Sequence, residues 1–343
     1  MSLATIPTRR IGDDNVSAIG FGAMGIGNFG YGSDLNQDDE TRFKVLDRLL
    51  ELGCTNWDTS DYYGDSEDLI GKWFKRTGKR DQIFLASKVN FAFTPDGIRG
   101  DPEYVKVAIE KSLKRLGINT IDLYYVHRID PRVPIELTMG ALVELVKAGK
   151  IRYIGLSVPS PATLRRAHKV HPIAAIQVEY SPFVLDIEQK GHLLETAREL
   201  GIAVVAYSPL GKGLITGQIK SHADMPENDP RKTIPKYKPE NFPILLALVD
   251  RLKKVASKYN ATSGQVTLAY LLSQGDDIIP IPGTRKLKYL EENLGALNVK
   301  LTSEDVNAIR QAIVETELTG DQYPPRLFEM LYRDTPELPS AYV

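Results

Sequence analysis

One cysteine, Cys54, stands among 343 residues, so an internal disulfide is excluded and a reducing compartment such as the cytoplasm is the expected setting. Cys54 lies in a turn between a helix-period segment and an apolar run, and it reads as a buried packing residue. No apolar run approaches the roughly eighteen residues of a membrane span. Residues 1–20, with Arg9, Arg10, Asp13 and Asp14, hold no apolar segment of the kind a signal peptide needs. Neither sign of charge is in excess: Lys and Arg total 43 against 44 Asp and Glu, a net charge of -1. That balance gives no overall pull towards nucleic acid or anionic lipid. The basic run 72–80 therefore reads as a solvated helix C-terminus. Histidine is sparse too, and His168-x-x-His171 has no cysteine or carboxylate cluster beside it, so no metal site is expected. Repeats and low-complexity tracts are absent.

What is present is alternation. Short β-branched or apolar runs at 17–21, 55–57, 83–87, 121–126, 151–156, 174–179, 203–207 and 278–281 are separated by helix-period segments such as 40–52, 102–116, 135–148, 191–200 and 244–259. Asp101-Pro102 is an N-cap followed by a first-turn proline, while Gly117 and Gly149 follow helix ends. Unbroken strand–helix units over residues 1–343 predict one (β/α)8 TIM barrel domain of the α/β class. Turn residues between short runs in 5–16 predict an N-terminal β-hairpin, and an extra C-terminal helical segment follows the last strand. The proline-bearing stretch 221–241 reads as a lid or an unstructured loop.

The spelling G-x-G-x-x-G at Gly20, Gly22 and Gly25 invites a Rossmann reading. That fingerprint must open directly into a helix whose N-terminus holds a pyrophosphate. Here more glycines follow and helical periodicity waits until about residue 40, so the motif is a coincidence of spelling. The stretch is either a flexible rim turn or a backbone that a flat ligand can approach by another route.

Barrel chemistry sits at the carboxyl ends of strands. There the chain places "WDTSDYYG" with Asp58 and Tyr63, Lys88, "YYVHRID" with His127 and Arg128, Ser157, and then Gln177 and Glu179. A charged or ring residue closing one apolar strand is commonly structural; several on one rim point to catalysis.

These residues, together with "ASKV", "IRYIGLS", "IQVEYSPF", "VVAYSPLGKGLITG" and "IPIPGTRKLKYLEENLGAL", resemble the aldo-keto reductase family over nearly the whole length. The resemblance implies carbonyl reduction with NADPH bound on the barrel rim, a catalytic tetrad of Asp58, Tyr63, Lys88 and His127, and a small-molecule carbonyl substrate. It selects Tyr63 over Tyr62 because the family's tyrosine precedes glycine. It further implies cofactor contacts from Gly22, Met24, Ser157, Gln177, Tyr207, Ser208, Leu210, Gly211, Lys212, Gly213, Gly283, Arg285, Tyr289, Glu292 and Asn293. The position after Ser157, often polar in relatives, is Val158.

The tetrad has its own physical sense. A phenol with an ordinary pKa near 10 is a weak acid at neutral pH, and Lys88 would lower it by its charge. Asp58 would pair with Lys88, and His127 would hydrogen-bond the substrate oxygen. Arg285 offers a bidentate partner for a 2′-phosphate, favouring NADPH over NADH. Lys212 would supply charge near the pyrophosphate. Glu291, Glu292 and Lys288 read equally as a solvated helix face. Phe29, Tyr31, Phe91 and Phe93 either line an apolar substrate pocket or anchor loops. The wording around His127 and Gln177 resembles the branch that includes pyridoxal reductases, which makes pyridoxal a candidate substrate. Channel β subunits share the scaffold as regulatory binding partners; no long N-terminal extension of theirs is seen here.

Overall fold

Residues 6–31, 36–89 and 97–340 are described by the computed structural model. Thr8–Ile11 (β1) and Asp14–Ser17 (β2) form an antiparallel hairpin, its turn made by Gly12 at φ +57°. Eight parallel strands follow: Phe21–Gly22 (β3), Asn56–Asp58 (β4), Phe84–Val89 (β5), Ile121–Val126 (β6), Ile151–Ser157 (β7), Ala175–Glu179 (β8), Ala203–Tyr207 (β9) and Ile278–Pro280 (β10). Each pairs with its sequence neighbour. The Gly20 N–H donates to the Pro280 carbonyl at 3.0 Å and the Gly22 N–H to that of Pro282 at 3.3 Å, which ties the first strand to the last and closes the barrel.

The helices Asp39–Glu51 (α1), Ser66–Thr77 (α2), Pro102–Leu116 (α3), Ile135–Lys147 (α4), Pro161–Val170 (α5), Leu193–Glu199 (α6), Phe242–Ser257 (α7), Ser263–Leu272 (α8) and Leu287–Gly295 (α9) lie between or after the strands. Ser303–Glu315 (α10) and the short Pro325–Phe328 (α11) make the C-terminal helical segment. Local signals set their ends. The Asp101 carboxylate accepts from the Tyr104 N–H at 3.0 Å, and Gly117 closes α3 at φ +63°.

Side chains on a strand alternate between faces, and this period carries the argument from fold to site. One buried cluster joins Phe84, Ala86, Leu123, Tyr125, Ala175, Ala203, Val205, Ile279 and Ile281, and the hairpin's Ile11 and Val16 belong to it. These residues fill the inside of the barrel, with the hairpin covering the end where the strands begin. Continuing each inward series two residues at a time reaches Lys88, His127, Gln177, Glu179 and Tyr207 at the opposite mouth. The larger apolar cluster lies between strands and helices, and includes Trp57, Trp73, Tyr124, Leu142 and Leu268.

Two expectations need adjusting. The run 17–21 is not one strand: Ser17 ends the hairpin, and the barrel strand is only Phe21–Gly22. The stretch 221–241 is not unstructured. Four short 3-10 turns begin at His222, Pro230, Pro235 and Pro239, and Met225, Ile234 and Tyr237 are buried. Proline fixes φ near the value a tight turn needs, so the same residues that looked like breakers organise the segment.

Candidate active site

The strand ends bring the four expected catalytic residues together. Asp58 ends β4, Lys88 lies on β5, His127 follows β6, and all three are buried. The Lys88 ammonium donates to Asp58 Oδ1 and, at 2.8 Å, to the Thr59 carbonyl. Asp58 Oδ2 accepts from Gln177 Nε2 at 2.7 Å, so the carboxylate is held from two sides. Tyr63 is brought over this pair by the loop after β4. The Lys88 Nζ stands 4.8 Å from the centre of its ring, and the His127 ring meets it edge-on at 5.7 Å. His127 Nδ1 lies 3.1 Å from Ser60 Oγ.

Two glycines outside the G-x-G-x-x-G motif, Gly27 and Gly64, help to place Tyr63. A Cβ on Gly27 would run into the Tyr63 carbonyl, and one on Gly64 into the Gly27 carbonyl. The loop after β3 therefore packs backbone to backbone against the tyrosine loop. Among the described residues only a three-residue 3-10 turn, Gly25–Gly27, stands between β3 and α1, so β3 does not open directly into the α-helix that a Rossmann fingerprint needs.

Burial dominates the ionisation of the site. It pushes the Asp58 carboxyl up and the Lys88 ammonium down, and the mutual attraction of the pair opposes both effects. Burial, followed by the Arg128 and Lys88 charges, holds His127 well below its ordinary value, so the imidazole is neutral at neutral pH. The Tyr63 phenol is raised, first by burial and then by the Asp58 carboxylate, with Arg128 pulling the other way. The Lys88 charge beside the phenol is paired at contact distance with Asp58, as expected.

The expected cofactor residues lie along the strand ends from β7 to β10 and in the first-strand loop. The buried Ser157 hydroxyl accepts from Arg128 at 3.3 Å. Val158, at φ +43°, is a β-branched residue in the left-handed region, held by its N–H to the Gln177 carbonyl and by its own carbonyl to the Tyr332 N–H. Tyr207 Oη is 3.2 Å from Tyr323 Oη. Ser208, Gly211, Lys212 and Gly213 all have positive φ, and the Leu210 carbonyl accepts from the Gly213 N–H at 3.0 Å. Gly22 and Gly283 meet backbone to backbone at the closing seam, and Met24 packs over Gly30. Arg285 Nη2 donates to the Tyr31 carbonyl at 3.0 Å. On α9 Tyr289 donates to Gln218 Oε1 at 2.9 Å, Glu292 accepts from Thr262 at 2.8 Å, and Asn293 is buried. Glu291 instead faces outward to Arg48.

Lys212 requires a correction. Its ammonium turns inward to Glu179, where both side chains are about 1% exposed, so the turn offers a ligand backbone groups rather than a charge. Phe29 does stand at the tyrosine loop, parallel to Tyr63 at 6.4 Å and edge-on to Tyr62 at 5.2 Å. Phe91 and Phe93 lie outside the described residues. Two neighbours are not singled out from the sequence for this site. Ser60 has a visible signal, a hydroxyl two residues beyond Asp58. Tyr323 has none, because it reaches Tyr207 from the irregular C-terminal segment. Among the described residues no cluster of His, Cys, Asp or Glu is arranged to hold a metal, and no helix is long and apolar enough to cross a membrane.

A family model described as the aldo/keto reductase family matches residues 18–314. The aldo-keto reductase str7 of Strobilurus tenacellus is 58% identical over 339 residues, covering 97% of this chain and 99% of that protein. The aldo-keto reductase yakc of Schizosaccharomyces pombe, whose name carries NADP(+), is 50% identical over 342 residues, covering 98% and 99%. Among solved structures, the glycerol dehydrogenase AKR11B4 from Gluconobacter oxydans superimposes with a TM-score of 0.81 at 27% identity, over 91% of this chain and 96% of that one.

Proposed function

The chain belongs to the aldo/keto reductase family, and on that premise we propose that it reduces an aldehyde or ketone to an alcohol with NADPH, Tyr63 giving the proton. The observation that carries this reading is the convergence of Tyr63, Lys88, Asp58 and His127 at one mouth of the barrel.

The donor set along the rim suits an extended dinucleotide. Ser157 and Gln177 offer neutral hydrogen-bonding groups for a carboxamide, and Tyr207 offers a flat ring beside them. The positive-φ turn from Ser208 to Gly213 is a backbone bed of the kind that receives phosphate oxygens. Arg285 is the planar cation for a 2′-phosphate, with Tyr289, Glu292 and Asn293 beyond it for the adenosine end. The relative whose name carries NADP(+) supports the same assignment. When bound, NADPH supplies the hydride for the carbonyl carbon.

The side chains manage the oxygen. A neutral His127 has one N–H; Ser60 Oγ lies 3.1 Å from Nδ1 and 3.2 Å from Asp61 Oδ1, and in the mechanism proposed here its proton goes to Nδ1, which puts the imidazole N–H on Nε2, where it can donate to the substrate oxygen. Tyr63 then passes its proton to the same oxygen, and Asp58 fixes Lys88 beneath the ring. Phe29 and Tyr62 give the mouth an aromatic wall, which favours aromatic aldehydes, pyridoxal among them. The test is loss of NADPH absorbance with a panel of aliphatic, aromatic and pyridoxal aldehydes, repeated with NADH. Turnover with NADPH far above NADH supports the reading. Binding of NADPH without turnover of any carbonyl overturns it in favour of a regulatory binding protein.

A further inference from the structure

Gln177 stands where the catalytic group meets the proposed cofactor strip. It is buried near the end of β8 and pairs in register with Ser157 on β7. Its Nε2 donates to Asp58 Oδ2 at 2.7 Å, while the other oxygen of that carboxylate takes the Lys88 ammonium. Three strands thus meet on one carboxylate: β4 supplies it, β5 the cation and β8 the amide.

Chemistry decides which way the amide faces. The Asp58 carboxylate, paired with an ammonium, has no proton to give and can only accept. The N–H end of Gln177 must therefore face Asp58, and Oε1 is the end left for a ligand; among the described residues no donor reaches it. Ser157 is polarised in the opposite sense. Its Oγ accepts from Arg128 Nη1 at 3.3 Å, which leaves its own O–H to donate. Side by side, the ends of β7 and β8 offer one donor and one acceptor, the complement of a primary carboxamide. Of the other titratable groups around the Asp58–Lys88 pair, Tyr125 from β6, 5.9 Å from Lys88 Nζ, and Tyr63 are phenols that burial keeps neutral, and His127 is neutral too. Arg128 from the end of β6 and Asp61 from the loop after β4 are the remaining charges.

We propose that Gln177 is a positioning residue that ties the orientation of the cofactor's carboxamide to the catalytic carboxylate. Asp58 sets the direction of the Gln177 amide, and the amide then accepts only a carboxamide whose NH2 group faces it and whose oxygen faces Ser157. The same bond holds Asp58 through its second oxygen, so the lysine beneath Tyr63 and the ring that gives the hydride are set by one connected chain of hydrogen bonds. This inference rests on NADPH binding at the rim, as proposed above.

Two binding measurements test it without turnover. The first uses the wild-type protein. The 3-acetylpyridine analogue of NADP+ carries a methyl group where the carboxamide has its NH2, and it should bind about tenfold more weakly than NADP+, because Gln177 Oε1 is left without a donor. Equal affinities overturn the inference. The second follows Q177E from about pH 6 to about pH 9, where the introduced carboxyl can bond Asp58 only while it keeps a proton, since two carboxylates in contact do not both ionise. Relative to wild type, the Tm of the protein without cofactor and its affinity for NADP+ should both fall as pH rises, the affinity by about tenfold, and adding D58N should move that limb down by about one pH unit or more. No limb in Q177E, or one that D58N leaves in place, shows that Gln177 does not act through Asp58. Q177L serves if Q177E does not fold: it should bind NADP+ and the analogue equally, and a wild-type preference retained in Q177L contradicts the inference. Failure of the wild-type protein to bind either NADP+ or NADPH is a distinct result, and it overturns the cofactor reading beneath the inference.

Discussion

At the scale of single residues, the site depends on which atom carries which proton. The Ser60 hydroxyl lies against Nδ1 of a histidine that burial keeps neutral, and in the proposed mechanism that contact fixes the tautomer. Ser60→Ala should therefore lower kcat about tenfold while the KM for NADPH stays near wild type, because the imidazole loses the partner that keeps its N–H on the substrate side. Steady-state kinetics with both substrates varied would show it; a rise in the NADPH KM with kcat unchanged contradicts the role. Asp58, Lys88 and His127 were legible because a charge or ring at the end of an apolar strand breaks the pattern. The choice of Tyr63 over its neighbour Tyr62 came from resemblance, since two adjacent tyrosines in a loop have no periodicity to separate them. Lys212, expected to supply charge near a pyrophosphate, is paired with Glu179 instead: nothing local says that a lysine between two glycines turns inward to a partner 33 residues away.

At the scale of elements, the turn after β9 is the most constrained piece of the rim. The buried pair of Lys212 and Glu179 lies beneath it, the Arg231 guanidinium reaches the Lys212 carbonyl at 2.9 Å, and the Tyr237 hydroxyl reaches that of Gly211 at 3.1 Å. The 3-10 turns of 221–241 are thus a buttress for the proposed phosphate bed. Lys212→Met leaves the Glu179 carboxylate buried without its cation, a change that should cost about 3–5 kcal/mol. Pairing it with Glu179→Gln should recover much of that, and denaturant unfolding of the single and double variants would measure the difference. Equal losses in both would show that the pair adds no coupling. From the sequence this segment read as a lid or a disordered loop because its prolines hide periodicity. Its order comes from contacts with the loops after β8 and β9, such as Lys236 on the Phe183 carbonyl and Tyr237 on that of Gly211, that no local pattern records.

At the scale of the molecule, the barrel was readable from alternation alone, and so was the hairpin that precedes it. The extent of the first strand was not. Closure through Gly20 and Gly22 is a tertiary hydrogen-bonding event, and only Phe21 of the expected run 17–21 lies in the barrel strand. Stability over the whole chain should depend on acid. Burial holds His127, His168 and His192 below their ordinary 6.5 in the folded state. Below that pH the unfolded chain takes up protons that the folded chain refuses, so this contribution is complete above about 6.5 and is lost as pH falls. Asp39, Asp101 and Glu136, held low by their ion pairs and hydrogen bonds, act in the same direction at still lower pH. Thermal unfolding should show a Tm that declines from about pH 7 to about pH 5; a flat or rising Tm across that window contradicts the assignment.

The central claim is that a phenol held over a buried lysine–aspartate pair delivers the proton in carbonyl reduction. Its most direct test is the turnover of Y63F beside its affinity for NADPH. The account predicts kcat lower by about 10²–10⁴-fold with NADPH binding unchanged. A variant that binds NADPH normally and still reduces carbonyls within about threefold of wild type contradicts it.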